Sequence, residues 1–441
     1  MTGIKRQHPG SDSGSPHAAR LAELLARIAD PAALASPPAL RAAAAAAARS
    51  LLTDWTLVAE PHQPTDSSTQ TLRARRFRLR EIEFYFNHEH LFPDPFVHSD
   101  PDQLVAGSWY FHKRGGSYKG GTYKGLDLAF GWAAAPQSPL PAARTAGPLY
   151  GGILIRAVHE IGRDSVVEGP CLVVDELLAA VGAPSIKMLV DERWRGNRAA
   201  SGSGAATGRQ SAIHLEFSPQ PAATAPVISR FFGKRPRQSD PAATDAAPPA
   251  PDLAIVRSPR VGLVLGHDRS ALRIVRIADL LRFAAAPHAI SKGRSHTVVG
   301  LVLDAALHLD AGPPGDLVLG ALLGAAHATA SIGDGRPLPP NRAARIAWVA
   351  RVSGARPAKV SETVAALRRA LAAPDAERWV GAKPPSAAAD LVAMFGSCWA
   401  AMAAADADAD ADSGGSGAEA EMGGAGTGAA GHGAVTAAAA E

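Results

Sequence analysis

Arg80-Glu81-Ile82-Glu83-Phe84-Tyr85 carries the residues best suited to chemistry in this chain of 441 residues. Alternate residues of a strand point to one face, so Glu83 and Tyr85 share a face if the run is extended. A carboxylate beside an aromatic wall can activate a water next to a bound ring. A solvated glutamate on a half-exposed strand would produce the same letters. His88-Glu89-His90, followed by Asp94 to Ser99 with His98 inside it, places imidazoles near carboxylates and raises zinc as an alternative. No further His or Cys recurs at ligand spacing, so no metal is expected. The run Gly115 to Gly125 lacks the GxxxxGK[ST] order of a phosphate loop, because Lys124 precedes Gly125. Its Lys119, Lys124, Tyr118 and Tyr123 suit a strand edge that approaches a nucleic-acid backbone, with aromatic tips to enter between bases. A flexible hairpin is the plainer reading. Arg156 interrupts the apolar Ile153 to Val158, and a buried guanidinium needs an anion: a structural partner, a phosphate or the site carboxylate.

The elements that must position these groups follow from pattern. Leu72 to Phe86 alternates with a period near two and reads as a strand, as do Tyr118 to Gly131 and Gly152 to His159. Arg20 to Leu52 is Ala-rich helix broken at Pro31 and Pro37, and Gly169-Pro170 opens a helix over Cys171 to Val181. Arg257 to Phe283 is strand-like, and helices over Asn341 to Val352 and Lys359 to Leu371 dominate beyond His296. All five tyrosines lie between Tyr85 and Tyr150, four of them in Glu81 to Trp132 with about half of all aromatic residues. That density mixed with His, Lys and Gly reads as a pocket for a flat ligand.

Composition limits the class. Two cysteines, Cys171 and Cys398, form no disulfide framework and fit a reducing compartment. No run reaches the roughly 20 apolar residues of a membrane span, so a soluble protein is expected. The net charge is +4, and the Asp/Ala run over residues 405–412 leaves the remainder more basic. The expected organisation is a disordered 1–18, a main domain over 19–294 with low-complexity insertions near 201–209 and 238–252, a helical extension over 295–402, and a disordered tail over 403–441.

Taken in order, these segments resemble the alkyladenine (3-methyladenine) DNA glycosylase family. The resemblance rests on Glu81-Ile82-Glu83-Phe84-Tyr85, Asp94 to Ser99, Leu154-Ile155-Arg156-Ala157, Gly169-Pro170, Arg260-Val261-Gly262-Leu263 and Leu281-Arg282-Phe283. It covers roughly Leu72 to Arg294 without the insertions. It implies a mixed α/β (α+β) fold: a curved, mainly antiparallel sheet with flanking helices, here with the C-terminal helical extension. Glu83 would be the general base for the attacking water, with Arg156 holding a phosphate or orienting that water. Tyr85 and His98 would sandwich the extruded base. Tyr123, Lys119, Lys124 and Arg114 would meet DNA, with Lys113, Arg73, Arg75, Arg76, Arg78 and Arg80 as further phosphate candidates. The chain departs from the family in three places. The loop from Tyr85 to His98 is longer, the minor-groove wedge strand survives only as Tyr123-Lys124-Gly125, and the Asn that helps reject guanine is missing, with Phe130 or Gly131 near its place.

The expectation is a monofunctional enzyme that removes alkylated purines from double-stranded DNA. It would act as a monomer without a cofactor, in the nucleus, where Lys234-Arg235-Pro236-Arg237 would serve import, with an organelle or the cytoplasm as alternatives. Two rivals are a non-catalytic nucleic-acid-binding module on the same scaffold and a metal hydrolase using His88, His90 and His98.

Overall fold

The computed structural model of the chain describes residues 16–61, 73–134, 147–202 except 164, 211–219, 255–264, 279–306, 342–373 and 389–398, with isolated positions between. Residues 1–15, the 238–252 insertion, most of 201–209, residues 234–237 and the tail lie outside them.

Helices α1 (Pro16–Ile28), α2 (Pro31–Leu34) and α3 (Pro37–Thr53) precede β1 (Trp55–Ala59) and the long β2 (Arg75–Asn87). The prolines start these helices: Asp30 and Ser36 cap α2 and α3, and a proline at the first position needs no amide partner. Next come β3 (Trp109–Phe111), β4 (Lys113–Arg114), β5 (Ser117–Tyr118), β6 (Leu126–Ala129), β7 (Tyr150–Glu160), β8 (Val166–Glu168) and α4 (Pro170–Val181). Strands β9 (Ile213–Phe217), β10 (Ile255–Ser258) and β11 (Arg282–Ala285) lead to α5 (Arg294–Ala306), α6 (Arg342–Ser353) and α7 (Pro357–Ala372). Two expected strands prove shorter. A 3-10 turn at Gly121–Tyr123 divides residues 118–131, and among the described residues of 257–283 only the ends are extended.

The fold is mixed α/β with an open antiparallel sheet built on the β2–β7 ladder. On its other edge β2 pairs β1 through its first half and β11 through its second. Likewise β7 pairs β6 and then β8. Both strands slip register at the point of division, leaving Arg80 and Arg156 outside the pairing. Such bulges shift the alternation of side chains by one. Phe77 and Leu79 before the slip, and Ile82, Phe84 and Phe86 after it, therefore reach one and the same core.

That core lies between the sheet and α1, α3 and α4. It absorbs much of the aromatic window: Phe86 packs edge-on against Phe92 and Phe130, and Phe84 against Phe283. The phenylalanines and tryptophans expected to line a pocket are thus mostly core, and Tyr118 packs against it too, whereas Tyr85, Tyr110 and His98 turn away. A second cluster joins α5, α6, α7 and residues 391–398. Val256 belongs to it whereas Ile255 packs against the first, so the two clusters cover opposite faces of β10. Helix α5 lies so close to β10 that a Cβ on Gly300 would stand 2.1 Å from the Arg257 carbonyl oxygen. No helix among the described residues is long and apolar enough to cross a membrane.

Candidate active site

Register alone assembles the site. Tyr110, Asp127, Leu154, Glu83 and Arg282 stand in one row across β3, β6, β7, β2 and β11. Cross-strand partners share a face, so these five side chains project together from the side opposite the main core. All five are buried. One step along, Gly152 pairs with Tyr85 on one side and Ala129 on the other, leaving that stretch of sheet without a side chain.

Glu83 has no solvent exposure and receives three donors. Its Oε2 accepts from the Tyr85 hydroxyl at 2.9 Å and from Arg156 Nη1 at 3.2 Å, while Oε1 accepts from the Val261 amide at 2.7 Å. A carboxylate offers roughly four acceptor positions, so about one remains for a water. Arg156 also donates from Nε to Glu81 Oε1 at 2.7 Å, and Arg282 Nε reaches the same oxygen at 2.7 Å. Two carboxylates and two guanidinium groups thus balance in a buried quartet, where a charge left without any ionic partner costs about 3–5 kcal/mol. Burial raises the pKa of Glu81, but Arg282 and Arg156 outweigh it and hold the carboxyl below its usual range. Arg282 is steadied in turn by Ser258 Oγ at 2.7 Å and by Thr297 Oγ1 of α5 at 3.0 Å, so the C-terminal helices reach the site.

The half-buried Tyr85 has the Arg260 guanidinium 4.7 Å from its ring centroid. Arg260 is fully buried and held by Asp94 at 2.7 Å. Burial and the Glu83 charge push the Tyr85 hydroxyl well above its ordinary pKa, so it stays a donor. Asn87, at the end of β2, clamps the loop that carries His98. Its Nδ2 donates to Ser99 Oγ at 3.0 Å, and its Oδ1 accepts from the Asp94 amide at 3.1 Å. Ser99 itself adopts φ 53, a left-handed conformation that a serine holds only under constraint. His98 is exposed, edge-on to the His112 ring at 4.4 Å, with Nδ1 3.1 Å from the Tyr110 hydroxyl. Desolvation and the adjacent His112 lower its pKa, so it is neutral at neutral pH.

The structure therefore brings Glu83, Tyr85 and Arg156 into direct contact and places His98 in a separate group with Tyr110, His112 and Asp127. His88 is buried and accepts the His90 and Leu91 amides at its Nδ1, a turn-closing role apart from His98. Among the described residues no group of three His, Cys, Asp or Glu side chains gathers as for a metal ion. The β4–β5 hairpin exposes Lys119 and Arg114, and Tyr123 beyond it is 56% exposed with Arg114 4.9 Å above its ring. Lys124 is paired with Asp175 of α4, and Lys113 with Asp100 and Asp102. Most of the β2 arginines have internal partners too: Arg75 bonds Glu160 and Glu176, Arg76 bonds Glu216, and Arg78 bonds two carbonyls. A groove of about 430 Å³ lined by Leu21, Leu25 and Trp132 lies against α1, away from Glu83.

Sequence reasoning missed the roles of Glu81, Arg282, the Val261 amide and the group around Asp127. The signal for two of them was present. Asp127 between Leu126 and Leu128, and Arg282 between Leu281 and Phe283, are lone charges in apolar strands, as Arg156 is. Neither Phe130 nor Gly131 faces the row. Phe130 packs on Phe86 in the main core, and a Cβ on Gly131 would meet the Leu149 and Gln103 carbonyls at 2.0 and 2.4 Å.

No known protein-family profile matches the chain. An uncharacterized protein of Acanthamoeba polyphaga mimivirus is 45% identical to it over 105 residues, which are 23% of this chain and 47% of that protein. The chain thus matches about half the length of this relative.

Proposed function

We propose that the chain is a monofunctional DNA glycosylase that extrudes a damaged purine from duplex DNA, hydrolyses its N-glycosidic bond and leaves an abasic site. The observation that carries this reading is the environment of Glu83: a buried carboxylate with one acceptor position left for water, beside a tyrosine ring and an arginine. Glu83 takes a proton from that water as the oxygen attacks the sugar C1′. The C1′–N bond breaks, its electron pair leaves with the base, and the sugar retains a hydroxyl. Arg156 keeps its Glu81 partner when Glu83 becomes neutral, so the guanidinium is never stranded. Alkylated purines such as 3-methyladenine carry positive charge and leave without a proton donor. Tyr85 and His98 would stack on the flipped base, Tyr123 with Arg114 and Lys119 would meet the backbone, and Tyr123 would wedge into the vacated stack. Such an enzyme needs one copy of the chain and works where genomic DNA is, in the nucleus.

The test is single-turnover base release from duplexes bearing 3-methyladenine, 7-methylguanine, hypoxanthine or ethenoadenine. Release of any lesion by the wild type and none by Glu83→Gln supports the reading. The complete burial of Glu83 favours a second reading, a module that binds DNA without cleaving it. Salt-sensitive binding of every duplex with no base released would select that one.

A further inference from the structure

We propose that Asp127 reads the edge of the extruded base and makes the site selective for purine lesions that present N–H donors, foremost the amino group of a guanine-type base. The inference rests on the assignment of Glu83 as the base that activates water.

Asp127 stands in the same cross-strand row as Glu83 with only Leu154 between them. Adjacent strands lie about 4.8 Å apart, so the two carboxylates sit on strands roughly 10 Å apart. A purine whose C1′ bond faces Glu83 extends over that interval and brings its far edge to β6. The floor beneath it is Gly152, opposite Tyr85. Asp127 is buried, and its Oδ1 is engaged by His112 Nε2 at 2.8 Å. Its Oδ2 lies over Gly152, where a Cβ would approach it to 2.6 Å. Among the described residues no hydrogen bond reaches that oxygen. The His112 bond fixes the carboxylate rotamer, and His98 and Tyr110 pack around His112 in turn. A buried carboxylate held in place with one oxygen turned to the open floor is an acceptor waiting for a donor.

The chemistry of the ligand edge follows. A carboxylate accepts and does not donate. Guanine presents an amino group beside a ring N–H, two donors in line. Hypoxanthine keeps the ring N–H but lacks the amino group, so it brings one donor to that edge where guanine brings two. A site built to bond the amino group disfavours the analogue without it, because the buried acceptor then loses that donor. Normal guanine would meet the same acceptor, but it is neutral and no proton donor stands at the departing ring. Its 7-methylated form is cationic and leaves readily. Selection among amino-bearing bases would therefore fall to leaving-group strength, and selection against bases without the amino group to Asp127.

The experiment compares single-turnover release of 7-methylguanine and 7-methylhypoxanthine by the full-length wild type. The two lesions differ only in the amino group and share one charge. We expect 7-methylguanine to be released at least about tenfold faster, about 1.4 kcal/mol in the barrier. Asp127→Asn, checked for an unchanged melting temperature, should bring the ratio near one. Equal release of the two 7-methyl lesions by the wild type would overturn the proposal without any variant. So would an Asp127→Asn chain that slows all lesions alike. Should the wild type release nothing, the glycosylase reading fails by itself, and equilibrium binding of the same two duplexes then decides. A wild-type preference for 7-methylguanine that Asp127→Asn abolishes would uphold Asp127 as an edge reader, and equal affinities would overturn it.

Discussion

Glu81 and Glu83 are two residues apart on one strand, yet Glu81 holds two arginines while Glu83 holds Tyr85, Arg156 and the Val261 amide. In the proposed reaction Glu83→Gln removes the group assigned to take the proton from water, a general-base contribution of about 10²- to 10⁴-fold, or about 3–5 kcal/mol in the barrier. It disturbs the fold little, because Glu81 Oε1 still accepts from both Arg156 and Arg282. The loss of stability should stay near 1–2 kcal/mol, the scale of weakened hydrogen bonds. Glu81→Gln is the reverse. It leaves Arg282 with only the neutral Ser258 and Thr297 hydroxyls, and an uncompensated buried charge costs about 3–5 kcal/mol. At roughly 2–4 °C per kcal/mol, Tm should fall by about 10 °C. The assay pairs calorimetric Tm with single-turnover base release for both variants at a temperature where both are folded. A Glu81→Gln chain with unchanged Tm and no turnover, beside a Glu83→Gln chain that melts early but cleaves, would refute this division.

Four further outcomes are expected. Gly152→Ala drives a Cβ to 2.6 Å from the Asp127 carboxylate and 3.1 Å from Gln103 Nε2, so lesion-duplex affinity should fall at least tenfold with less effect on undamaged duplex, measured by fluorescence anisotropy. Acid should weaken the fold in two stages. Burial, then Arg282 and Arg156, push His296 down to about 3, so below pH ~6.5 the unfolded chain binds a proton that the folded chain refuses, and stability falls towards pH 3 by up to about 1.4 kcal/mol per unit. The Glu81 carboxyl, held low by its arginines, contributes stability that is complete above about pH 4.3 and is lost as pH drops through its lower folded value. Urea midpoints from pH 7 to 3.5 should show His296→Gln flattening the first stage and Glu81→Gln only the second. Joint replacement of Arg114 and Lys119 by Ala should lower the log–log salt slope of DNA binding by roughly 2, whereas Lys124→Ala, already paired with Asp175, should change it less. Gly300→Ala should separate α5 from β10 and lower Tm by several degrees without altering the lesion ranking of the remaining activity.

Strands and helices with clean periodicity were legible from sequence. Arg75–Asn87 emerged within a few residues from alternation, and Pro170–Val181 from the Gly-Pro that opens it. Glu83 and Tyr85 stand out because strand alternation puts them on one face, and Arg156 because it interrupts an apolar strand. His98 was harder to place. Which ring it meets depends on the register of β3 against β6 and on the Asn87 clamp, neither of which leaves a local trace. The donor at Val261 was invisible because a backbone amide has no letter of its own. Similarly, alternation could not tell that Phe84 and Phe86 would face the core while Tyr85 turned away, since the slip at Arg80 resets which parity points inward.

That slip acts on β2 as a reading frame acts on a message. Upstream of it, odd-numbered residues 77 and 79 are core; downstream, even-numbered 82, 84 and 86 are. One strand thus serves a single hydrophobic layer at both ends while Glu81, Glu83 and Tyr85 stay in phase with one another on the opposite side. Loss of a single residue between Leu79 and Glu81 would remove no functional group except Arg80. Either Phe77 and Leu79 would then be turned out of the core, or both acids would be buried against phenylalanine. A chain built this way accepts many substitutions along β2 but tolerates no change in its count, so comparisons among related chains should find gaps in the loops around this strand and none within it.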